Sequence, residues 1–190
     1  MTMTKSGSEG MAGEGAGVSM RKNPQDTATA GSSGTLQVVE FLLGKEYFAI
    51  DLFDVKEVVE YTTITKLPNT PAFIKGIIDL RGEITTIVDL KQRMRITEES
   101  VQPEENCRII VLDEKNTKSK IGIMVDDVLS VSTFEMKNVD TKSASEIGDE
   151  MSILGIIKKS VRDKEKDKET NELIIWIDIK QLLKDINQHM

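Results

Sequence analysis

Apolar positions along the chain fall into short, dense runs and not into long helical stripes. From Thr35 onward the segments LQVVEFLL, EYFAIDL, FIKGIIDL, EITTIVDL, RIIVLDE, SKIGIMV, SILGIIKK and ELIIWID are rich in Val, Ile and Leu and are separated by charged or glycine-containing turns. Such runs, bounded by turn residues, predict strands, so the chain reads as mainly β with short helices. The pattern also repeats. GIIDL followed by EITTIVDLKQRM lines up with GIIKK followed by ELIIWIDIKQLL, which pairs Gly76 with Gly155 and Asp89 with Asp178. Ahead of these, FAIDLFDVKEV lines up with IGIMVDDVLSV, pairing Ala49 with Gly122, Asp54 with Asp127, Val55 with Val128 and Val58 with Val131. Two similar units, about 35–96 and 105–187, are therefore expected, each a small barrel or barrel-like sheet that curls to remove its edges. One such unit has too little interior to be stable alone, so the two are expected to share buried surface, with chain ends that cross between them.

Composition changes near residue 35. Residues 1–34 are Gly, Ser, Thr and Ala with scattered charges and no apolar period, which predicts a flexible tail ahead of a domain over 35–190. The formal net charge of -7 offers no basic stripe to phosphates or anionic lipid, which points to a protein partner and away from nucleic acid or direct membrane insertion. The single cysteine, Cys107, excludes an internal disulfide and fits a reducing compartment. His189 is the single histidine, so imidazole-based metal sites and Ser/His or Cys/His catalysis have almost no material. No apolar run reaches the roughly 20 residues of a membrane span. The expectation is a cytoplasmic protein with no cofactor, no metal and no catalytic residues.

Six aspartates, Asp51, Asp54, Asp89, Asp126, Asp127 and Asp178, fall near strand ends, where acids and bases of an enzyme would converge. A structural use fits two of them better. DLKQ at 89–92 and DIKQ at 178–181 are both Asp-x-x-Gln, so Asp89 with Gln92 and Asp178 with Gln181 read as helix N-caps. Asp54 is expected to cap a short helix in which Val55, Val58 and Val59 share a face. The alternating-charge run 158–171 reads as a long solvated hairpin loop in the place that the tight Arg81-Gly82 turn holds in the first repeat. Trp176 and Met124 read as core, and Met136 as core or rim.

The segment NTPAFIKGIIDLRGEITTIVDL, residues 69–90, resembles the CheW family of bacterial chemotaxis coupling proteins. Thr70, Pro71, Ile74, Gly76, Leu80, Arg81, Gly82, Val88, Asp89 and Leu90 match the family's pattern. EYFAIDLFDVKEVVEY, with Ile50, Val55 and Glu57, and IGIMVDDV, with Gly122 to Asp126, extend the resemblance over about Thr35 to Ile186. It implies two SH3-like five-stranded β-barrels with short capping helices. It also implies an adaptor between the cytoplasmic hairpin tip of chemoreceptors and the regulatory domain of the histidine kinase CheA. Carried over by position, Val55, Gly76, Arg81, Gly82 and Gly122 fall on the receptor side, with Glu57 and Asp79 in support. Two residues depart from the pattern: Asp79 stands where Asn is usual, and Thr86 where the family often has Pro. A CheV-like protein or a detached kinase regulatory module is an alternative within the fold. An SH3-type module for proline-rich peptides would need an aromatic-lined groove, which a chain with 4% aromatic residues is poorly equipped to build.

The hairpin DLRGE is expected to use a type I turn with a bulge, Gly82 taking the left-handed conformation and Arg81 projecting from the tip. There Arg81 either grips a partner's carboxylates and carbonyls or pairs locally with Asp79 or Glu83. Glycine inside a strand also marks bulges and close approaches, which is the packing alternative for Gly76 and Gly122. Val55 lies at the margin of its apolar stripe, where it can border a groove.

Overall fold

The structure is a computed structural model that describes residues 34–98, 102–116, 119–147, 152–163, 168–184 and 186. The expected tail, apart from Gly34, lies outside the described residues. Eleven strands are described: β1 Thr35–Leu43, β2 Glu46–Asp51, β3 Val55–Glu60, β4 Ile74–Leu80, β5 Glu83–Asp89, β6 Arg108–Leu112, β7 Ile121–Val125, β8 Asp127–Glu135, β9 Val139–Asp140, β10 Ile153–Asp163 and β11 Lys168–Ile177. The helices α1 Leu90–Arg93, α2 Thr141–Ile147 and α3 Ile179–Leu182 are short. The fold is mainly β, with two curled sheets. One has the order β8-β1-β2-β11-β10-β9 and the other β3-β6-β7-β5-β4. The first has six strands where five are expected, because the two-residue β9 pairs along the edge of β10.

Strict alternation explains why so many strands are apolar at nearly every position. In β1, Val39, Phe41 and Leu43 face a core shared by both sheets, while Leu36 and Val38 face the interior of the first sheet. In β6, Ile110 and Leu112 face the shared core, while Ile109 and Val111 face the interior of the second. Buried on both faces, these strands lose the polar alternation of a half-exposed sheet. The shared core is completed by Leu90 and Met94 at α1 and by Ile179, Leu182 and Leu183 at α3. Arg93 Nε donates to the Leu182 carbonyl at 2.9 Å and so joins the ends of the two helical segments. Trp176 is partly buried in the first sheet's interior, Met124 is buried in the second's, and Met136 is exposed.

The halves of the repeat are split between the sheets. β1 and β2 of the first half join β8 to β11 of the second, whereas β3, β4 and β5 join β6 and β7. Two parallel pairings make the exchange: β5 lies along β7, with Thr86 opposite Ile121 and Asp89 opposite Met124, and β11 lies along β2, with Ile174 opposite Tyr47. All other neighbouring strands are antiparallel.

Two local expectations are corrected. Residues 55–60 form strand β3 and no helix, with Lys56, Val58 and Glu60 exposed and Val55, Glu57 and Val59 half-buried. The i, i+3, i+4 valines sit on a period-2 ladder against β6, and that tertiary pairing overrides the local helical spacing. The capping aspartate is Asp51, whose Oδ1 accepts from Phe53 N at 2.9 Å ahead of a 3-10 turn at Leu52–Asp54. The charged run 158–171 is not one long loop, since β10 continues to Asp163 and β11 begins at Lys168. Its backbone is paired in register from Lys158 opposite Leu173 to Asp163 opposite Lys168, with Lys159 set against Glu172, so most of the run is a strand ladder. Residues 164–167 of the run lie outside the described residues.

Candidate functional site

The β4–β5 hairpin is closed by two residues. Leu80 is opposite Glu83, and both intervening residues have positive φ, 55° at Arg81 and 83° at Gly82. That is the mirror-image turn whose twist matches the flanking strands, and it replaces the expected type I turn with a bulge. Glycine accepts such a φ freely, whereas arginine resists it, so Arg81 is held there by its surroundings. Asp79 supplies part of the hold, its Oδ1 accepting from Gly82 N at 2.6 Å.

Arg81 reaches across to β3. Its Nη2 lies 2.9 Å from Glu57 Oε2 and its Nη1 donates to Glu57 Oε1 at 3.4 Å, a two-pronged pairing. The local partner is therefore Glu57, and not Asp79 or Glu83. Glu83 is engaged by Lys120, which also lies 3.4 Å from Glu114. β3 and β4 are the two edges of their sheet, so the Arg81–Glu57 pair, with the backbone bridge between Thr65 and Ile77, draws those edges together. The Arg81 side chain is 77% exposed. Ile84, on β5 beside the turn, is 60% exposed, and Val58, on β3, is 42% exposed. The tip is thus an exposed guanidinium with exposed Ile84 beside its turn, whereas Val58 lies on the face of β3 opposite Glu57.

The glycines serve packing. Gly76 has φ 147°, and a Cβ there would overlap the Thr65 carbonyl oxygen, whose backbone pairs with Ile77 through two 2.9 Å bonds. Gly122 is buried, and a Cβ would stand 2.8 Å from Ile109 Cγ2 and 2.9 Å from Ile87 Cδ1. Glu57 and Arg81 are brought together at the β4–β5 tip beside Gly82, whereas Val55 is half-buried against the shared core, and Gly76 and Gly122 lie level with Ile87, away from the turn.

The helix caps are formed by Asp89, which accepts from Gln92 N at 3.1 Å, and Asp178, which accepts from Gln181 N at 3.0 Å. Two lysines of the same motifs form ion pairs that the aspartates alone did not suggest: Lys91 with Asp126 at 2.8 Å and Lys180 with Asp54 at 2.9 Å. Their identical place in DLKQ and DIKQ was the available signal. Burial pushes the Asp54 carboxyl above its ordinary range even though Lys180 pulls it down, and Asp54 in turn raises the Lys180 ammonium. Burial also pushes the Cys107 thiol up, which disfavours the reactive thiolate.

The CheW-like domain model matches residues 37–187. The chain belongs to the CheW-like domain family. It is 37% identical over 111 residues to the chemotaxis protein CheW of Klebsiella aerogenes, covering 57% of this chain and 64% of that one. It is 32% identical over 101 residues to the CheW of Bacillus subtilis, covering 53% and 62%. The matched part thus spans somewhat under two thirds of these relatives' length. Among solved structures it resembles the scaffolding protein TtCheW of Thermoanaerobacter tengcongensis, with TM-score 0.63 and 31% identity, covering 81% of this chain and 91% of that one. The CheW-like fold accounts for the two curled sheets, here built as two SH3-like halves that exchange strands.

Proposed function

We propose that this chain is a chemotaxis adaptor that couples chemoreceptors to the histidine kinase CheA, acting by binding and without a chemical step of its own. The observation that carries the reading is the match to the CheW-like domain across residues 37–187. An adaptor needs two docking surfaces, and exposed apolar residues at equivalent places in the two repeats support that reading. Val58 and Ile84 on the second sheet have Val131 and Leu173 as their repeat counterparts on the first, and all four are exposed, by 42%, 60%, 60% and 54%. Branched side chains left in water on a strand are well suited to be covered in an assembly.

On the receptor side, Arg81 is the anchor, offered from a turn fixed by Asp79 and held towards β3 by Glu57. A guanidinium beside exposed Ile84 fits a docking hairpin that presents both apolar residues and carboxylates or free carbonyls. Val55 on β3 completes the receptor side, Gly82 permits the turn, and Gly76 and Gly122 allow the close packing of the sheet that carries it. The CheA regulatory domain takes a separate surface, and the complex works in the cytoplasm at receptor arrays. Reconstitution of receptor-bearing vesicles with CheA tests the reading. Adding this chain is expected to bring kinase autophosphorylation under receptor control, and Leu173→Asp is expected to impair that control while the variant still folds. Kinase activity indifferent to the wild-type chain would overturn the proposal.

A further inference from the structure

The two parallel junctions are built alike. At the first, β5 runs along β7, α1 follows β5, and Lys91 Nζ meets Asp126 Oδ1, in the connection after β7, at 2.8 Å. At the second, β11 runs along β2, α3 follows β11, and Lys180 Nζ meets Asp54 Oδ1, in the connection after β2, at 2.9 Å. Each aspartate is also tied to a neighbouring hairpin through its backbone: Asp126 N donates to the Leu42 carbonyl at 3.0 Å, and Asp113 N donates to the Asp54 carbonyl at 2.9 Å. Each clamp therefore joins the helix of one half to the strand crossover of the other.

The clamps differ in strength. Lys91 and Asp126 are 15% and 2% exposed, and Asp126 Oδ2 also accepts from Gly44 N at 2.6 Å. Lys180 and Asp54 are 50% and 9% exposed. Water and salt reach Lys180 more than either member of the first pair, which weakens the second pair more. The burial that raises the Asp54 carboxyl outweighs the pull of Lys180. Such a pair fixes geometry more than it stabilises the fold. What it holds is the crossover itself. The Leu52–Asp54 turn leaves the first sheet at Asp51, enters the second at Val55, and presents Phe53, which is 76% exposed.

We infer that the Asp54–Lys180 pair is a latch, the weaker of two equivalent clamps, that positions the crossover turn bearing Phe53 and Val55 and releases before its Lys91–Asp126 counterpart. Lys180 and Asp54 are positioning residues in this scheme; exposed Phe53 is what they present, and half-buried Val55, packed against the shared core, is the strand start they hold. The effect on docking rests on the coupling reading above, whereas the effect on local opening does not.

Hydrogen exchange on the full chain tests it, with Lys180→Met, the double variant Asp54→Asn with Lys180→Met, and Lys91→Met as comparator. In Lys180→Met, amides of residues 52–58 and 179–183 are expected to exchange about tenfold faster, while those of 121–126 keep their wild-type rates. Added salt should speed the same amides in the wild-type chain. The double variant removes the stranded carboxylate, so it should melt close to wild type yet still exchange fast at the crossover. Wild-type exchange in the double variant, or equal loosening of both junctions in Lys180→Met, overturns the latch. Titration with a receptor cytoplasmic fragment separates the two claims. Weakened binding by a double variant that melts normally supports positioning of the docking surface, and unchanged binding overturns that part. Failure of the wild-type chain to bind contradicts the coupling reading and leaves the exchange result to decide the latch.

Discussion

At the scale of single residues, Arg81 owes its placement to three neighbours with different tasks. Gly82 allows the turn, Asp79 ties it down through a backbone amide, and Glu57 fixes the guanidinium from the opposite edge. The pair is mostly in water, so its stability contribution is about 0 to 1 kcal/mol, and its value lies in orientation. The motif made Arg81 conspicuous along the chain, but the acids next to it, Asp79 and Glu83, pointed to the wrong partner, since Glu57 is 24 residues away and is brought close by the curl of the sheet. Gly76 is the opposite case. Its φ of 147° and the Thr65 carbonyl beneath it leave no room for a methyl group, so Gly76→Ala is expected to destabilise by about 2 kcal/mol or more, read from the urea midpoint. Asp54 supplies a pH signature. Its folded-state affinity for a proton is raised, so the folded chain binds more protons than the unfolded one in the window between the ordinary aspartate value and the raised one. This contribution to stability therefore falls as pH rises through that window. The difference in unfolding free energy between wild type and Asp54→Asn, followed from about pH 4 to about pH 7, should shift against the wild type as pH rises. A difference independent of pH would contradict the assignment.

At the scale of elements, the strands buried on both faces were the most legible, because RIIVL and IGIMV leave little alternative to a doubly covered sheet. The helix starts were equally plain, since Asp-x-x-Gln names both the cap and the amide it bonds. Asp89→Ala and Asp178→Ala should each cost about 1 kcal/mol, measured by denaturant unfolding. The effect at Asp89 should be the larger, because its carboxylate is buried and also lies 4.0 Å from Lys75, whereas Asp178 is more open. β3 and β8 escaped for a shared reason. Both have much of one face in solvent, so their valines mix with Lys, Glu and Ser and imitate other periods. The ends of β10 and β11 escaped because a run of Lys, Arg, Asp and Glu reads along one chain like a solvated loop, whereas its backbone pairs across the ladder.

At the scale of the molecule, the repeat announced two units with ends that cross between them, but not which strands cross or how they pair. Parallel pairing of β5 with β7 and of β2 with β11 depends on contacts between distant segments, which no local pattern encodes. The exchange gives the molecule its shared core, and the capped helices α1 and α3 close that core through adjacent ends. It also leaves apolar residues exposed at equivalent places on two sheets, Val58 and Ile84 on one and Val131 and Leu173 on the other. The most direct test is calorimetric titration of the wild-type chain and of Arg81→Ala against the CheA regulatory domain and, separately, a receptor cytoplasmic fragment. The account predicts that the wild type binds both. It also predicts that Arg81→Ala, melting normally, loses about 2 kcal/mol of receptor affinity, roughly thirtyfold, and keeps its kinase affinity. A wild-type chain that binds neither partner at high micromolar concentration would contradict it.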